Sequence, residues 1–146
     1  MRKIFVDTSA FVALFYKKDE NHLKAKIILE KIKKENSLMI ITDYIFDECV
    51  TGIMSNVSHN VAVVAGEFIL TSKIIEIFWL DESLKLKAWN FFKKHPDKEF
   101  SFTDCTSFVL MKELKIRDYF AFDEDFKTMG LVDISQESLV NKMTND

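Results

Sequence analysis

The sequence predicts an α/β fold in which a mostly parallel sheet of about five strands is covered by helices on both faces. Short runs rich in β-branched and aromatic residues alternate with longer segments of helical apolar periodicity. Each short run is mostly apolar, the pattern expected of strands buried on both sides. Residues suited to cap a helix stand where most of the helical segments begin.

Residues 3–6, Lys-Ile-Phe-Val, are the first expected strand, followed by a helix over 10–16 in the apolar run from Ala10 to Tyr16. Asp19 stands as an N-cap ahead of a helix over 22–35, where Ala25, Ile28, Leu29 and Ile32 share one face. The run 38–41 is the second strand, and Thr42 or Asp43 caps a helix over 44–54. Ser58 opens a helix over 60–70. A strand at 74–78 precedes Asp81 and a helix over 83–93. Thr103 or Asp104 caps a helix over 105–114, and strands at 119–122 and 131–134 close the pattern, with Gly130 in the turn before the last. No repeat, linker or low-complexity segment interrupts the alternation.

At 146 residues, with 48% hydrophobic composition and 14 phenylalanines, the chain fits one domain over 1–146 with a substantial core. A net charge of −3 and a pI near 5.7 exclude a surface that grips nucleic acid by charge everywhere, so a polyanion must be met locally. Two cysteines, Cys49 and Cys105, are too few for a disulfide framework, and a reducing cytoplasm is expected. Arg2-Lys3 leads directly into the first strand without a secretory pattern. The uncharged stretch 49–66 carries too many Thr, Ser, Asn and His residues for a membrane span. The expectation is a soluble cytoplasmic protein.

Four acids stand where apolar runs turn polar: Asp7, Glu48, Asp104 and Asp123, with Asp125 close behind the last. In open parallel sheets ligands bind beyond the carboxyl ends of strands, and this fold would gather the acids at that edge. A cluster of carboxylates repels itself, and a hard divalent cation such as Mg²⁺ or Mn²⁺ cancels the charge. That combination points to metal-dependent phosphodiester chemistry. Each acid also has a plainer reading. Asp7 or Ser9 serves as a helix N-cap; Glu48 sits at the margin of a buried helical stripe; Asp104 lies in a first turn that favours any acid; Asp123 marks a turn. The haloacid-dehalogenase pattern wants an acid at position 9, which here is Ser9.

The segments Val6-Asp-Thr-Ser-Ala-Phe, Thr42-Asp-Tyr-Ile-Phe-Asp-Glu, Ser101-Phe-Thr-Asp-Cys-Thr-Ser-Phe and Phe122-Asp-Glu-Asp-Phe together resemble the PIN-domain nucleases. The likeness is nearest to toxin ribonucleases of the virulence-associated protein C type, and it spans almost the whole chain. It implies an α/β/α sandwich and a Mg²⁺- or Mn²⁺-dependent endoribonuclease. The family's acidic site maps onto Asp7, Glu48, Asp104 and Asp123, with Asp7, Asp104 and Asp123 as metal ligands. Thr8 or Ser9 and Thr103 match the supporting hydroxyls, and Asp125 is a fifth acid. The resemblance further implies an RNA substrate, a homodimer and a small antitoxin partner. Two alternatives stand beside it: an inactive PIN-like binding or assembly module, and a housekeeping ribonuclease with no antitoxin.

Other residues carry weaker signals. Lys17 and Lys18 follow the first motif most closely and are the expected phosphate contacts, while the clusters at Lys31, Lys33 and Lys34 and at Lys93, Lys94 and Lys98 read as solvated faces. Trp79, Trp89, Phe91 and Phe92 are expected in the core. Cys49 and Cys105 are expected as buried small residues rather than zinc or thiol chemistry, and His22, His59 and His95 as surface residues.

Overall fold

The computed structural model describes residues 1–137. The single-domain expectation over 1–146 therefore extends past the described residues. Strand and helix segments follow one another as β1 (Lys3–Val6), α1 (Thr8–Phe15), α2 (His22–Lys34), β2 (Leu38–Thr42), α3 (Asp43–Asn56), α4 (His59–Thr71), β3 (Ile75–Phe78), α5 (Glu82–Lys94), α6 (Phe102–Glu113), β4 (Asp118–Phe120) and β5 (Val132–Asp133). Two short 3-10 helices, Glu124–Met129 and Ile134–Gln136, flank β5.

All four strand pairings are parallel, and the sheet order is β3-β2-β1-β4-β5. The first strand in the chain is thus the middle one. From β1 the chain steps outward through β2 and β3, then returns to the other side of β1 for β4 and β5. The right-handed rule for parallel crossovers sends α1 to α4 over one face and α5 with α6 over the other. Ile4, Phe5 and Val6 are fully buried, as a central strand covered on both faces requires. The reversal of strand order falls between β1 and β4, where open α/β sheets leave a crevice.

Aromatic packing fixes that crevice. Phe126, in the 3-10 helix after β4, is fully buried, with its ring 6.1 Å from Phe5, 5.1 Å from Phe108 and 5.0 Å from Tyr119. One side chain therefore ties the turn after β4 to β1, α6 and β4. On the other flank Tyr44, in the first turn of α3, meets Phe102 of α6 edge-on at 5.6 Å.

The caps correct several boundaries. Asp7 caps α1, so that helix starts at Thr8 rather than position 10. Thr42, Ser58 and Asp81 accept from the amides of Ile45, Val61 and Leu84, as expected of N-caps. Asp43 instead reaches across to accept from the Leu80 amide at 3.0 Å. Asp19 accepts from the Asn21 amide and is not the cap of α2. Ser101, not Thr103 or Asp104, caps α6, which begins three residues earlier than expected.

The expectation that Trp79, Trp89, Phe91 and Phe92 pack in the core holds only for Phe91, which lies against Phe100 and Phe108. Trp79, Trp89 and Phe92 are exposed. For Trp89 and Phe92 the reason is the narrow contact face of α5, where Leu84, Ala88 and Phe91 at helical spacing turn inward and nearly everything else turns out; Trp79 lies in the link between β3 and α5. Among the described residues no helix is long and apolar enough to cross a membrane.

Candidate active site

Every expected acid arrives at the carboxyl edge of the sheet by its own local route. Asp7 follows β1, whose pairing with β4 is extended when the Asp7 amide donates to the Phe120 carbonyl at 3.0 Å. Glu48 lies on α3, which leaves the end of β2. Asp104 is the third residue of α6. Asp123 follows β4 and caps the 3-10 helix that carries Asp125, accepting from the Asp125 amide at 2.8 Å.

The five acids differ in burial, and burial is the largest influence on the titration of Asp7, Asp104 and Asp125. Asp7 is 4% exposed and Asp104 9%, whereas Glu48 and Asp125 are half-buried and Asp123 is exposed. Removal from water disfavours the charged form of a carboxylate. Burial pushes the Asp7 carboxyl up to about 7, the charges of Asp104 and Glu48 add to the rise, and hydrogen bonds from Ser9 oppose it. Asp104 is likewise raised, first by burial and then by the Asp123 charge, against hydrogen bonds from Ser101 and Asp125. Asp125 is pushed up to about 6 by partial burial, the Asp123 charge and its hydrogen bond to Asp104. Asp104, Asp123 and Asp125 act on one another's charge and so titrate as a coupled group. These couplings bring all five acids into one electrostatic neighbourhood.

Two hydroxyls hold the buried pair. Ser9 Oγ donates to Asp7 Oδ2 at 2.9 Å, and the Ser9 amide points to the same oxygen at 3.3 Å. Asp104 is fixed by a capping box: its amide donates to Ser101 Oγ at 3.0 Å, and its Oδ2 accepts from the Ser101 amide at 3.0 Å. Sequence reasoning missed Ser101, although the Ser-x-x-Asp spacing ahead of an apolar run was the available signal. Asp7 caps α1 and Asp104 completes the capping box of α6 while both face the acid cluster, so the plainer readings and the sharper ones coexist.

The remaining expectations divide. Thr8 Oγ1 is buried against the Cys49 thiol, on which its hydroxyl acts, and makes no hydrogen bond to an acid of the cluster among the described residues. Thr103 contributes through its carbonyl, which accepts from Thr106 Oγ1 at 2.6 Å and Ser107 Oγ at 3.1 Å. Both cysteines are free and buried; burial pushes Cys49 well above the usual thiol range and Cys105 up to about 11, which leaves neutral thiols. His59 is exposed as expected, but His22 and His95 are half-buried, their Nδ1 atoms 2.7 Å from the Ala13 carbonyl and 2.8 Å from the Phe91 carbonyl. Lys17 lines an apolar groove with Leu14, Phe15 and Phe68 at the far end of α1 from Asp7. Lys31 is held by Glu35 and Glu137, and Lys33 by Glu30.

Among the described residues no three carboxylate, imidazole or thiol groups stand ready as a closed cation cage. The donor set nevertheless suits a hard divalent ion: it is all oxygen, its two most buried members are raised by burial and mutual repulsion, and a cation relieves both effects.

Comparison with known proteins agrees with this architecture. The PIN-domain family model matches residues 4–131. The chain is 31% identical over 134 residues to the 23S rRNA-specific endonuclease VapC20 of Mycobacterium tuberculosis, covering 92% of this chain and 99% of that one. It is 26% identical over 117 residues to a VapC ribonuclease of Archaeoglobus fulgidus, covering 77% and 72% respectively. The crystal structure of M. tuberculosis VapC20, described as a Sarcin-Ricin loop cleaving toxin, superposes with a TM-score of 0.80 at 30% identity, over 90% of this chain and 98% of that one. With its all-parallel sheet, its acids at the β1–β4 reversal and a family match across almost its full length, the chain belongs to the PIN-domain family.

Proposed function

We propose that this protein, one domain over 1–146, is a divalent-metal-dependent endoribonuclease that hydrolyses RNA phosphodiester bonds and serves as the toxin of a toxin-antitoxin pair. The observation that carries the reading is the convergence of Asp7, Glu48, Asp104, Asp123 and Asp125 on one sheet edge, with the buried members held by Ser9 and Ser101. A fold with no use for a cation has no physical need to desolvate mutually repelling acids. The names of the VapC relatives supply the RNA substrate class and the toxin role.

Asp7, Asp104 and Asp123 are the residues that would hold Mg²⁺ or Mn²⁺. A bound divalent cation supplies a Lewis acid for phosphoryl oxygen and makes water acidic enough to attack near neutral pH. Ser9 keeps the Asp7 carboxylate oriented by occupying one of its oxygens, as supporting hydroxyls do in metal sites. Asp104 keeps one oxygen on the Ser101 amide, which fixes its carboxylate beside the other acids. Glu48, half-buried and near enough for its charge to act on Asp7, would bind the cation directly or through water, or help take the proton of the attacking water. No side chain acts as a covalent nucleophile, since both thiols are neutral and buried. The expected homodimer has apolar surface available in Met54 of α3 and Val63 and Leu70 of α4, all exposed.

The test is incubation of the purified protein with intact ribosomal RNA, with Mn²⁺ and with chelator, beside an Asp7→Asn variant. Discrete cleavage fragments that require Mn²⁺ and vanish with Asp7→Asn are expected. Equal cleavage by a folded Asp7→Asn protein would remove the proposal.

A further inference from the structure

An acidic cleft repels the substrate proposed for it, so a phosphate-binding surface elsewhere is required to hold RNA in place. With a chain charge of −3, that surface has to be a local concentration of cations. Such a concentration lies between α5 and α6. A groove of about 610 Å³ there is lined by Lys87, Asn90 and Lys94 from α5 and by Lys112 and Lys115 at the end of α6, with the acid Glu113 among them. A second groove of about 250 Å³ on the other side of Lys112 and Lys115 adds Arg117. The sequence separates these residues and α-helical packing brings them together.

Most of the cations in the groove are not spent on carboxylates, unlike several lysines elsewhere. Lys31, Lys33 and Lys127 are each held by a carboxylate. In the groove Lys87 is paired, to Glu113 at 3.5 Å with both side chains more than half exposed. Lys94, Lys112 and Lys115 are exposed with no carboxylate at ion-pair distance among the described residues, and Arg117 spends one guanidinium nitrogen on the Gly130 carbonyl at 2.9 Å. The partial negative charges at the ends of α5 and α6 account for Lys94 and for Lys112 and Lys115, but not for Lys87 in the middle of α5.

The backbone at Lys115 is an independent observation. α6 closes with a Schellman motif, in which the Ile116 amide donates to the Met111 carbonyl at 2.8 Å and the Lys115 amide to the Lys112 carbonyl at 3.2 Å. The residue between must be left-handed, and Lys115 has φ 57°. α2 ends in the same way with Asn36 at φ 53°, a residue that tolerates this conformation. At the end of α6 a lysine stands where glycine or asparagine is the conformationally cheap choice.

We propose that Lys94, Lys112 and Lys115, with Lys87 and Arg117 beside them, form a binding site for the sugar-phosphate backbone of the RNA substrate along α6, centred at the opposite end of that helix from Asp104. At about 1.5 Å of helix per residue, Lys112 lies roughly 12 Å along α6 from Asp104, a separation that a few nucleotides of the same RNA strand span. Their contacts are with phosphate and carry no sequence information.

The experiment measures anisotropy of a fluorescein-labelled RNA hairpin against protein at several KCl concentrations, in an Asp7→Asn background so that the RNA stays intact. A Lys94→Gln/Lys112→Gln/Lys115→Gln variant should bind at least tenfold more weakly, and its plot of log affinity against log salt should be shallower by about 2 to 3. Lys115→Gly alone should bind a few-fold more weakly yet melt at a higher temperature, because it removes a cation and relieves the backbone together. Lys33→Gln/Lys34→Gln on α2 is the control and should change neither quantity. With Asp7 intact, the triple variant should raise KM for RNA cleavage and leave kcat in place.

The site rests on the endoribonuclease reading, and the outcomes separate the two. A protein that cuts RNA while the triple variant keeps wild-type affinity and salt slope removes the groove and leaves the activity. Weakened binding in a protein that cuts no RNA supports the groove and overturns the activity. A protein with no RNA affinity removes both. If Lys115→Gly melts lower and binds more weakly, the loss is one of folding and Lys115 leaves the site.

Discussion

Ser9 and Phe122, 113 positions apart in the chain, are joined by one hydrogen bond: the Phe122 amide donates to Ser9 Oγ at 2.9 Å. The same hydroxyl donates to Asp7 Oδ2 at 2.9 Å. A single side chain thus clamps the end of β4 to the start of α1 and sets the buried carboxylate between them. The acid after β1 and the acids after β4 are held in a fixed relation by this one oxygen.

Ser9→Ala should therefore damage both stability and activity. It leaves the partly buried Phe122 amide unpaired, which costs about 1–3 kcal/mol, and it frees the Asp7 carboxylate. Loss of a supporting contact to a metal ligand typically costs about 10–100-fold in activity or metal affinity. Urea denaturation and Mn²⁺-dependent RNA cleavage measure the two effects. A Ser9→Ala protein with wild-type values in both would show that the clamp is idle.

Asp104→Asn should melt at a higher temperature than wild type in chelator. The change removes a desolvated charge facing Asp123 and Asp125 while an amide oxygen still accepts from Ser101. Millimolar Mn²⁺ should then raise the wild-type midpoint more than the variant's, since a ligand at a hundredfold excess over its dissociation constant adds about 2.7 kcal/mol to the state that binds it. Scanning calorimetry of both proteins in both conditions gives the four midpoints. If wild type gains nothing from Mn²⁺ or Mg²⁺ and the variant is no more stable in chelator, the acids do not act as one site.

The metal-free protein should lose stability as pH rises from about 4 to about 7. Asp7 has its folded pKa raised from 3.8 to about 7, so across that window the native state binds a proton that the unfolded chain has released. The stabilisation is fully present below pH 3.8 at this group and is lost as pH passes 7. Its size is on the order of a few kcal/mol, because each tenfold gain in proton affinity on folding corresponds to about 1.4 kcal/mol. Chemical denaturation in chelator at a series of pH values reads the slope, and Asp7→Asn should flatten it. A wild-type slope of the opposite sign that survives in Asp7→Asn would place the titration elsewhere.

Expression of the wild-type protein alone in a bacterial host should arrest growth, and expression of Asp7→Asn at the same soluble level should not. The expectation follows from the toxin reading, and the pair of strains isolates catalysis from protein burden. Unimpaired growth under strong expression of soluble protein that cleaves RNA in vitro would favour a ribonuclease without a toxin role.

The sequence by itself determined the fold class, the alternation of strands and helices and the identity of the acids, because these rest on local patterns. A buried strand such as Lys3–Val6 announces itself by continuous apolar residues, and Thr42, Ser58 and Asp81 announce helix starts by their hydroxyl or carboxylate. Even the capping box at Ser101 was written in its spacing. What only the tertiary structure decided depends on contacts between distant segments. No local pattern states that β1 lies between β2 and β4, yet that order brings Asp7 beside Asp104 and Asp123. The protonation of Asp7 follows from the burial created when the sheet closes around it. Trp89 and Phe92 are exposed because α5 touches the sheet layer through only a narrow apolar stripe, and hydrophobicity alone does not say how wide that stripe is. The same crossing of α5 over α6 collects Lys87, Lys94, Lys112 and Lys115 into one groove. Helical periodicity tells which residues share a face, and only the packing of two helices tells which two faces meet.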